Sequence, residues 1–160
     1  MYKKALVLGR FQPFHNGHLF LLNFSLKHAE TIIIAIGSAN IYNEDNPFSY
    51  DQRKEMIECV ISDMKWGEKI VTIFPSNDGP EDNVWVQETV NMESNFDVVI
   101  SNNDWVTSIF SNNHYPVLET GLFHREELEG KIIRELMSKN DESWKTRVPP
   151  VILPLLMDYS

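Results

Sequence analysis

A chain of 160 residues and 18.6 kDa has the length of one domain and can bury a sizeable core without disulfides or a structural metal. Hydrophobic content of 42% and charged content of 23% exclude disordered and membrane-embedded classes, and a net charge of −9, from 14 basic against 23 acidic residues, excludes polymeric nucleic acid as a partner. The single cysteine, Cys59, cannot close an internal disulfide; with no basic-plus-apolar pattern at residues 1–20 and no run of about 18 apolar residues, neither secretion nor membrane spanning is expected. We expect a cytoplasmic protein with no membrane partner.

The first predicted strand is the apolar run at residues 5–8. It gives way to Gly9-Arg10-Phe11-Gln12-Pro13-Phe14-His15-Asn16-Gly17-His18 and then to helical spacing at Leu19, Leu22 and Leu26, which predicts a helix over 19–28. A second β-prone run covers 31–36, and Met56, Ile57, Val60, Ile61 and Met64 make an apolar stripe on a predicted helix over 50–64. The same alternation continues with a strand at 70–74, a helix at 84–92, a strand at 98–100 and a weaker strand at 116–118. A helix over 130–138 follows, starting at Gly130, and Pro149-Pro150 ends whatever precedes it. Residues 151–157 are apolar and contain Pro154, so they read as a brief helix or extended segment covering a core edge or meeting a partner subunit. Repeated βαβ units predict an α/β fold with a doubly wound parallel sheet, helices on both faces and ligands at the carboxyl ends of the strands. No linker divides the chain, so we expect a single domain over 1–160 with 141–160 as a tail packing on it or on a partner.

The strand-to-helix loop at 9–18 is a natural anion site. Main-chain N–H groups at a helix start lack intrahelical partners, and the helix dipole is positive there. Gly9 and Gly17 permit close backbone approach, Pro13 prevents an early helix start, Arg10 supplies a planar fork suited to phosphate oxygens, and His15 and His18 add donors. The two imidazoles could instead share a metal, but His28, His114, His124 and Cys59 show no ligand spacing that joins them, so no metal site is expected. A loop broken by Gly, Pro and Arg is also a poor place for core histidines. Gly130-Lys131 lacks the remaining elements of a phosphate-binding P-loop, and no G-x-G-x-x-G fingerprint exists, which removes P-loop ATPases and dehydrogenases.

The ten-residue segment 9–18 resembles the G-R-F-Q-P-F-H-x-G-H signature of archaeal-type nicotinamide-nucleotide adenylyltransferases, within the nucleotidyltransferase superfamily that carries H-x-G-H. The resemblance runs on through Gly37-Ser38-Ala39, Asn46-Pro47-Phe48 with Arg53, Asp78 with Asn83 and Trp85-Val86, Ser101-Asn102-Asn103, and Gly130 with Arg134. It implies a Rossmann-like nucleotidyltransferase fold and transfer of AMP from ATP to nicotinamide mononucleotide (NMN), giving NAD and pyrophosphate. It implies ATP contacts from Gly9, Arg10, Phe11, His15, Gly17, His18, Ser101, Asn103, Gly130, Lys131 and Arg134, with His15, His18, Arg10 and Arg134 acting on the reacting phosphates. Ser38, Asp78, Asn83 and Trp85 are implied for NMN, Trp85 being otherwise a core tryptophan. Magnesium would travel on the ATP phosphates, and a homo-oligomer is implied.

The chain also departs from that pattern. Asn102 replaces a glycine, Asn83 falls one position late with Asp82 in its expected place, and Asp45 stands where a base is usual. Glu129 and Lys131 replace a serine and a threonine around Gly130, so Lys131 would act as a point charge on the triphosphate while Glu129 turns to solvent. Two alternatives stay open: a nucleotide-binding or regulatory protein with the same fold, and an adenylyltransferase with another phosphorylated acceptor.

Overall fold

Strands that are apolar on both faces must be covered on both faces, and the chain achieves this with a parallel sheet between two helical layers. The computed structural model describes residues 1–121 and 125–157, with 125–128 described by backbone alone. Five strands, β1 (Tyr2–Gly9), β2 (Ala29–Ile36), β3 (Ile70–Pro75), β4 (Val98–Ser101) and β5 (Val117–Glu119), pair in parallel in the order β3-β2-β1-β4-β5. Alternate residues feed opposite cores. Ala5, Val7, Ile32, Ile34 and Ile36 meet α1 (Asn16–His28), α2 (Tyr50–Met64) and α5 (Arg125–Ser138). Leu6, Leu8, Ile33 and Ala35 meet α3 (Asp82–Met92) and α4 (Asp104–Asn112) on the other side. This is the doubly wound α/β arrangement expected from the sequence.

Two elements differ from expectation. The helix α4 is absent from the sequence reading, although Asn103 caps it by accepting from the Trp105 and Val106 N–H groups and Val106, Ile109 and Phe110 form its buried stripe. The helix expected to start at Gly130 begins instead at Arg125, because Glu126 and Glu127 are good helix formers. Gly130 is therefore interior, and the anion-binding property of a helix start does not apply there.

The tail turns twice, over Glu142–Arg147 and Pro150–Ile152, before a helical turn at Leu153–Leu156. Trp144, Val148, Ile152 and Leu156 are buried in the core shared with α1, α2 and α5. His124 and residues 158–160 lie outside the described residues. No helix among the described residues is long and apolar enough to cross a membrane.

Candidate active site

Strand order reverses between β1 and β4, and a crevice opens outside the carboxyl ends of the strands at that point. The crevice holds a cavity of about 480 Å³. Its wall begins with the loop after β1, which is fixed by its own side chains. Phe11 is fully buried at φ +55°, in the left-handed region that a bulky residue seldom adopts, with its ring stacked 5.7 Å from Phe14. The Gln12 amide donates to the Phe48 carbonyl at 2.9 Å and accepts the Phe48 N–H at 3.0 Å, pinning the loop to residues 46–48. A cis peptide joins Gln12 to Pro13.

His15 caps α1 through Nδ1, which accepts the Gly17 N–H at 3.0 Å, and His18 Nδ1 accepts the His15 N–H at 3.1 Å. With Nδ1 an acceptor in both rings, each neutral imidazole carries its proton on Nε2. The rings stack at 3.7 Å, and His18 also meets Phe11 at 4.5 Å. Glycine is required at 17, because a Cβ there would stand 2.8 Å from the His15 ring.

Beneath the loop lies Arg53, wholly shielded from solvent. Its guanidinium donates to the carbonyls of Arg10 (2.9 Å), Gly37 (2.7 Å), Ser38 (3.2 Å) and Ser49 (3.2 Å), so one α2 side chain fastens the ends of β1 and β2 together. Burial, and secondarily the neighbouring Arg10 charge, pull Arg53 down to about 10 against the opposing effect of Asp78, which leaves it cationic at neutral pH. Ser38, held at φ +49°, donates through Oγ to both Asp78 carboxylate oxygens at 2.9 and 3.0 Å. Arg10 donates to Asn46 Oδ1 and, at 3.4 Å, to the Asp45 carbonyl.

From the far end of the chain, Arg134 Nη1 donates to the Gln12 carbonyl at 2.7 Å and brings α5 onto the first loop. A Cβ on Gly130 would lie 3.3 Å from that carbonyl oxygen and 3.1 Å from Arg134 Nη1, so the absent side chain permits the approach. Glu129 pairs with Arg147 of the tail at 2.7 Å rather than facing solvent.

The cavity thus brings together Gly9, Arg10, Ser38, Asp78, Trp85, Asn103, Gly130 and Arg134. Trp85 is a core tryptophan that also borders the cavity. It is 7% exposed in the α3 and α4 core, donates through Nε1 to Ser76 Oγ at 2.9 Å, and still lines the cavity.

Other expected contacts are placed differently. Phe11, His15 and His18 form the packed interior of the loop, with half-buried Gly17 beside them, and none of the four lines the cavity; the imidazoles are each 1% exposed. Ser101 accepts the Asn103 N–H at 3.2 Å and supports that residue from behind. Lys131 is exposed away from the cavity because the interior helical phase that turns Gly130 and Arg134 inward turns it out. Asn83 accepts from Asn113 at 3.1 Å on the outside of α3, while Asp82, one residue earlier, lines the cavity. Asn102 is 2% exposed and does not adopt a positive φ.

Sequence reasoning missed Trp105, whose only signal was the Asn103 cap that sets it in the first turn of α4. Among the described residues no three His, Cys, Asp or Glu side chains gather as a metal site.

The comparisons agree with this geometry. The cytidylyltransferase-like family matches residues 6–136. A nicotinamide-nucleotide adenylyltransferase of Methanolobus tindarius is 36% identical over 96% of this chain and 87% of its own length, and one from Thermococcus kodakarensis is 34% identical over 93% and 79%. Among solved structures, a bifunctional NMN adenylyltransferase/ADP ribose pyrophosphatase from Francisella tularensis superposes with a TM-score of 0.77 at 27% identity. That superposition covers 92% of this chain but 45% of the Francisella protein, so the chain spans less than half of that relative. Matched by the family over residues 6–136 and by these relatives over nearly its whole length, the chain belongs to the cytidylyltransferase-like family and, within it, to the nicotinamide-nucleotide adenylyltransferases.

Proposed function

We propose that this protein transfers AMP from ATP, supplied as its magnesium complex, to nicotinamide mononucleotide in NAD biosynthesis. An oxygen of the NMN 5′-phosphate attacks the α-phosphorus. The bond from that phosphorus to the oxygen bridging to the β-phosphate breaks, and pyrophosphate leaves. No covalent enzyme intermediate forms. Such a displacement needs alignment and compensation of the growing negative charge more than it needs a nucleophile from the protein.

The observation that carries the reading is a single crevice lined by Arg10 and Arg134 together with Asp78 and Trp85. Arg10 and Arg134 are the phosphate ligands in this scheme, Asn103 receives adenosine, and Trp85 stacks on the pyridinium ring. His15 and His18 donate to the reacting phosphates from Nε2. Magnesium is held by the triphosphate and water. The scheme is cytoplasmic and homo-oligomeric, with neither membrane nor polymeric nucleic acid as partner; light scattering of the purified protein tests the oligomer.

Pyrophosphate release from ATP, Mg²⁺ and a panel of phosphorylated acceptors tests the chemistry. Release with NMN supports the proposal, and release only with an unrelated acceptor replaces it. The interior position of Gly130 and the outward Lys131 give the regulatory alternative its one support. Nucleotide binding by calorimetry with no pyrophosphate from any acceptor would decide for it.

A further inference from the structure

Arg10 is held by the protein at both ends. Its main-chain carbonyl accepts from Arg53 Nη1 at 2.9 Å, while its guanidinium donates to Asn46 Oδ1 and, at 3.4 Å, to the Asp45 carbonyl. Asn46 is 6% exposed, lines the cavity beside Arg10, and belongs to the loop between β2 and α2 that Gln12 clamps at Phe48. It has no role in the transfer scheme above.

A turn in the same loop sets the Asn46 carboxamide. Asn43 and Asn46 exchange main-chain hydrogen bonds, the Asn43 N–H reaching the Asn46 carbonyl at 3.2 Å and the Asn46 N–H the Asn43 carbonyl at 3.1 Å. Asn43 Oδ1 accepts three N–H groups at 3.0 Å, from the main chain of Asp45 and Asn46 and from Asn46 Nδ2. With Nδ2 spent on Asn43, the oxygen of the Asn46 amide meets the guanidinium. Reversing that amide would set donor against donor at Arg10 and acceptor against acceptor at Asn43. Asn43 itself is exposed and off the cavity, so its influence on a phosphate there passes through Asn46.

Building on the reading that Arg10 binds a reacting phosphate, we infer that Asn46 is the positioning residue for Arg10 and that Asn43 acts through it. A long side chain loses rotamer freedom when it grips an anion, and fixing it in place beforehand lowers that cost. An amide oxygen also orients a guanidinium without the neutralisation that a carboxylate in the same place would bring.

The test measures binding of ATP with Mg²⁺ by calorimetry, together with kcat and the KM values for ATP and NMN, in the wild type, N43A, N43D, N46A, R10A and R10A/N46A, with urea unfolding of each. Asn46→Ala is expected to weaken ATP about tenfold, the scale of one hydrogen bond to a charged group, and R10A at least as much. KM for NMN should move by less than about twofold, which a general loosening of the loop would not spare. Asn43→Ala should weaken ATP about threefold, and Asn43→Asp should restore it, because a carboxylate oxygen accepts the same three N–H groups. In the R10A background N46A should add less than about twofold. Additive losses in R10A/N46A, ATP binding unmoved in R10A or N46A, or equal rises in KM for ATP and NMN overturn the inference. Should N46A fail to fold, the Asn43 pair decides: loss in N43A with recovery in N43D upholds it, and any other result overturns it. If ATP binding shows these effects but NMN yields no pyrophosphate, the adenylyl-transfer reading fails while the positioning of Arg10 stands. A wild type that binds no ATP overturns both.

Discussion

In the loop after β1, Gln12, His15, Gly17 and His18 bond to one another's main chain or to Phe48, whereas α5 reaches the same cavity through Arg134 on the Gln12 carbonyl and is tied to the tail by Glu129 on Arg147. The first wall is organised from within and underneath, and the second leans on it from outside. The difference teaches which substitutions should unfold the site and which should only loosen it.

The largest effect falls under the first wall. Replacing Arg53 with Met strands carbonyls at the ends of both β1 and β2, and should cost about 3–5 kcal/mol in urea unfolding, with Arg53→Lys recovering part. A loss below about 1 kcal/mol would break the comparison, because the loop would then stand without its fastening.

His18→Ala comes next. It removes a donor from the proposed phosphate site and should lower kcat by about 10²-fold, equivalent to about 2.7 kcal/mol of barrier. From the sequence alone, little change in folding is expected. The structure revises that expectation, since His18 is 1% exposed, stacked on His15 and accepts the His15 N–H. A destabilisation of about 1–3 kcal/mol should therefore accompany the lost turnover. Full turnover in H18A would end the assignment.

In the second wall, activity and stability should part company. Gly130→Ala gains helix propensity worth about 1 kcal/mol, yet its methyl group crowds Arg134 Nη1 and the Gln12 carbonyl. The melting temperature should hold or rise while KM for ATP increases about threefold to tenfold, as α5 is pushed off the loop. A melting temperature that falls steeply with KM unchanged would mean that α5 supports the fold and not the site.

The same contrast explains what could be read from the sequence. Apolar periodicity disclosed all five strands and four of the five main helices, because burial on both faces of a parallel sheet leaves that pattern in the chain. The loop at 9–18 was legible because its constraints are local: the His15 ring over Gly17 and the His18 acceptor for the His15 N–H act within four residues. Gly130 was read as a helix start because a glycine usually marks an end. Its actual use, letting a helix interior touch the Gln12 carbonyl, depends on a contact between residues more than a hundred positions apart. Likewise Asp82 and Asn83 differ only by one step of helical phase, which sends one into the cavity and the other to Asn113. Trp105 carries no motif, and only the crossing of α3 and α4 sets it beside Trp85.

The smallest expected effect sharpens the claim that α5 leans outward. Glu129 and Arg147 join at 2.7 Å, but their side chains remain 24% and 40% exposed, and such pairs contribute about 0–1 kcal/mol. Glu129→Gln should thus reduce stability by under about 1 kcal/mol and change KM for ATP by less than about twofold. Arg147→Gln should do the same. In a double-mutant cycle the two losses should not add, because each single variant already breaks the one contact. A tenfold rise in KM for ATP in E129Q alone would place the carboxylate on the nucleotide instead of on the tail, and α5 would then be organised by its ligand and not by Arg147.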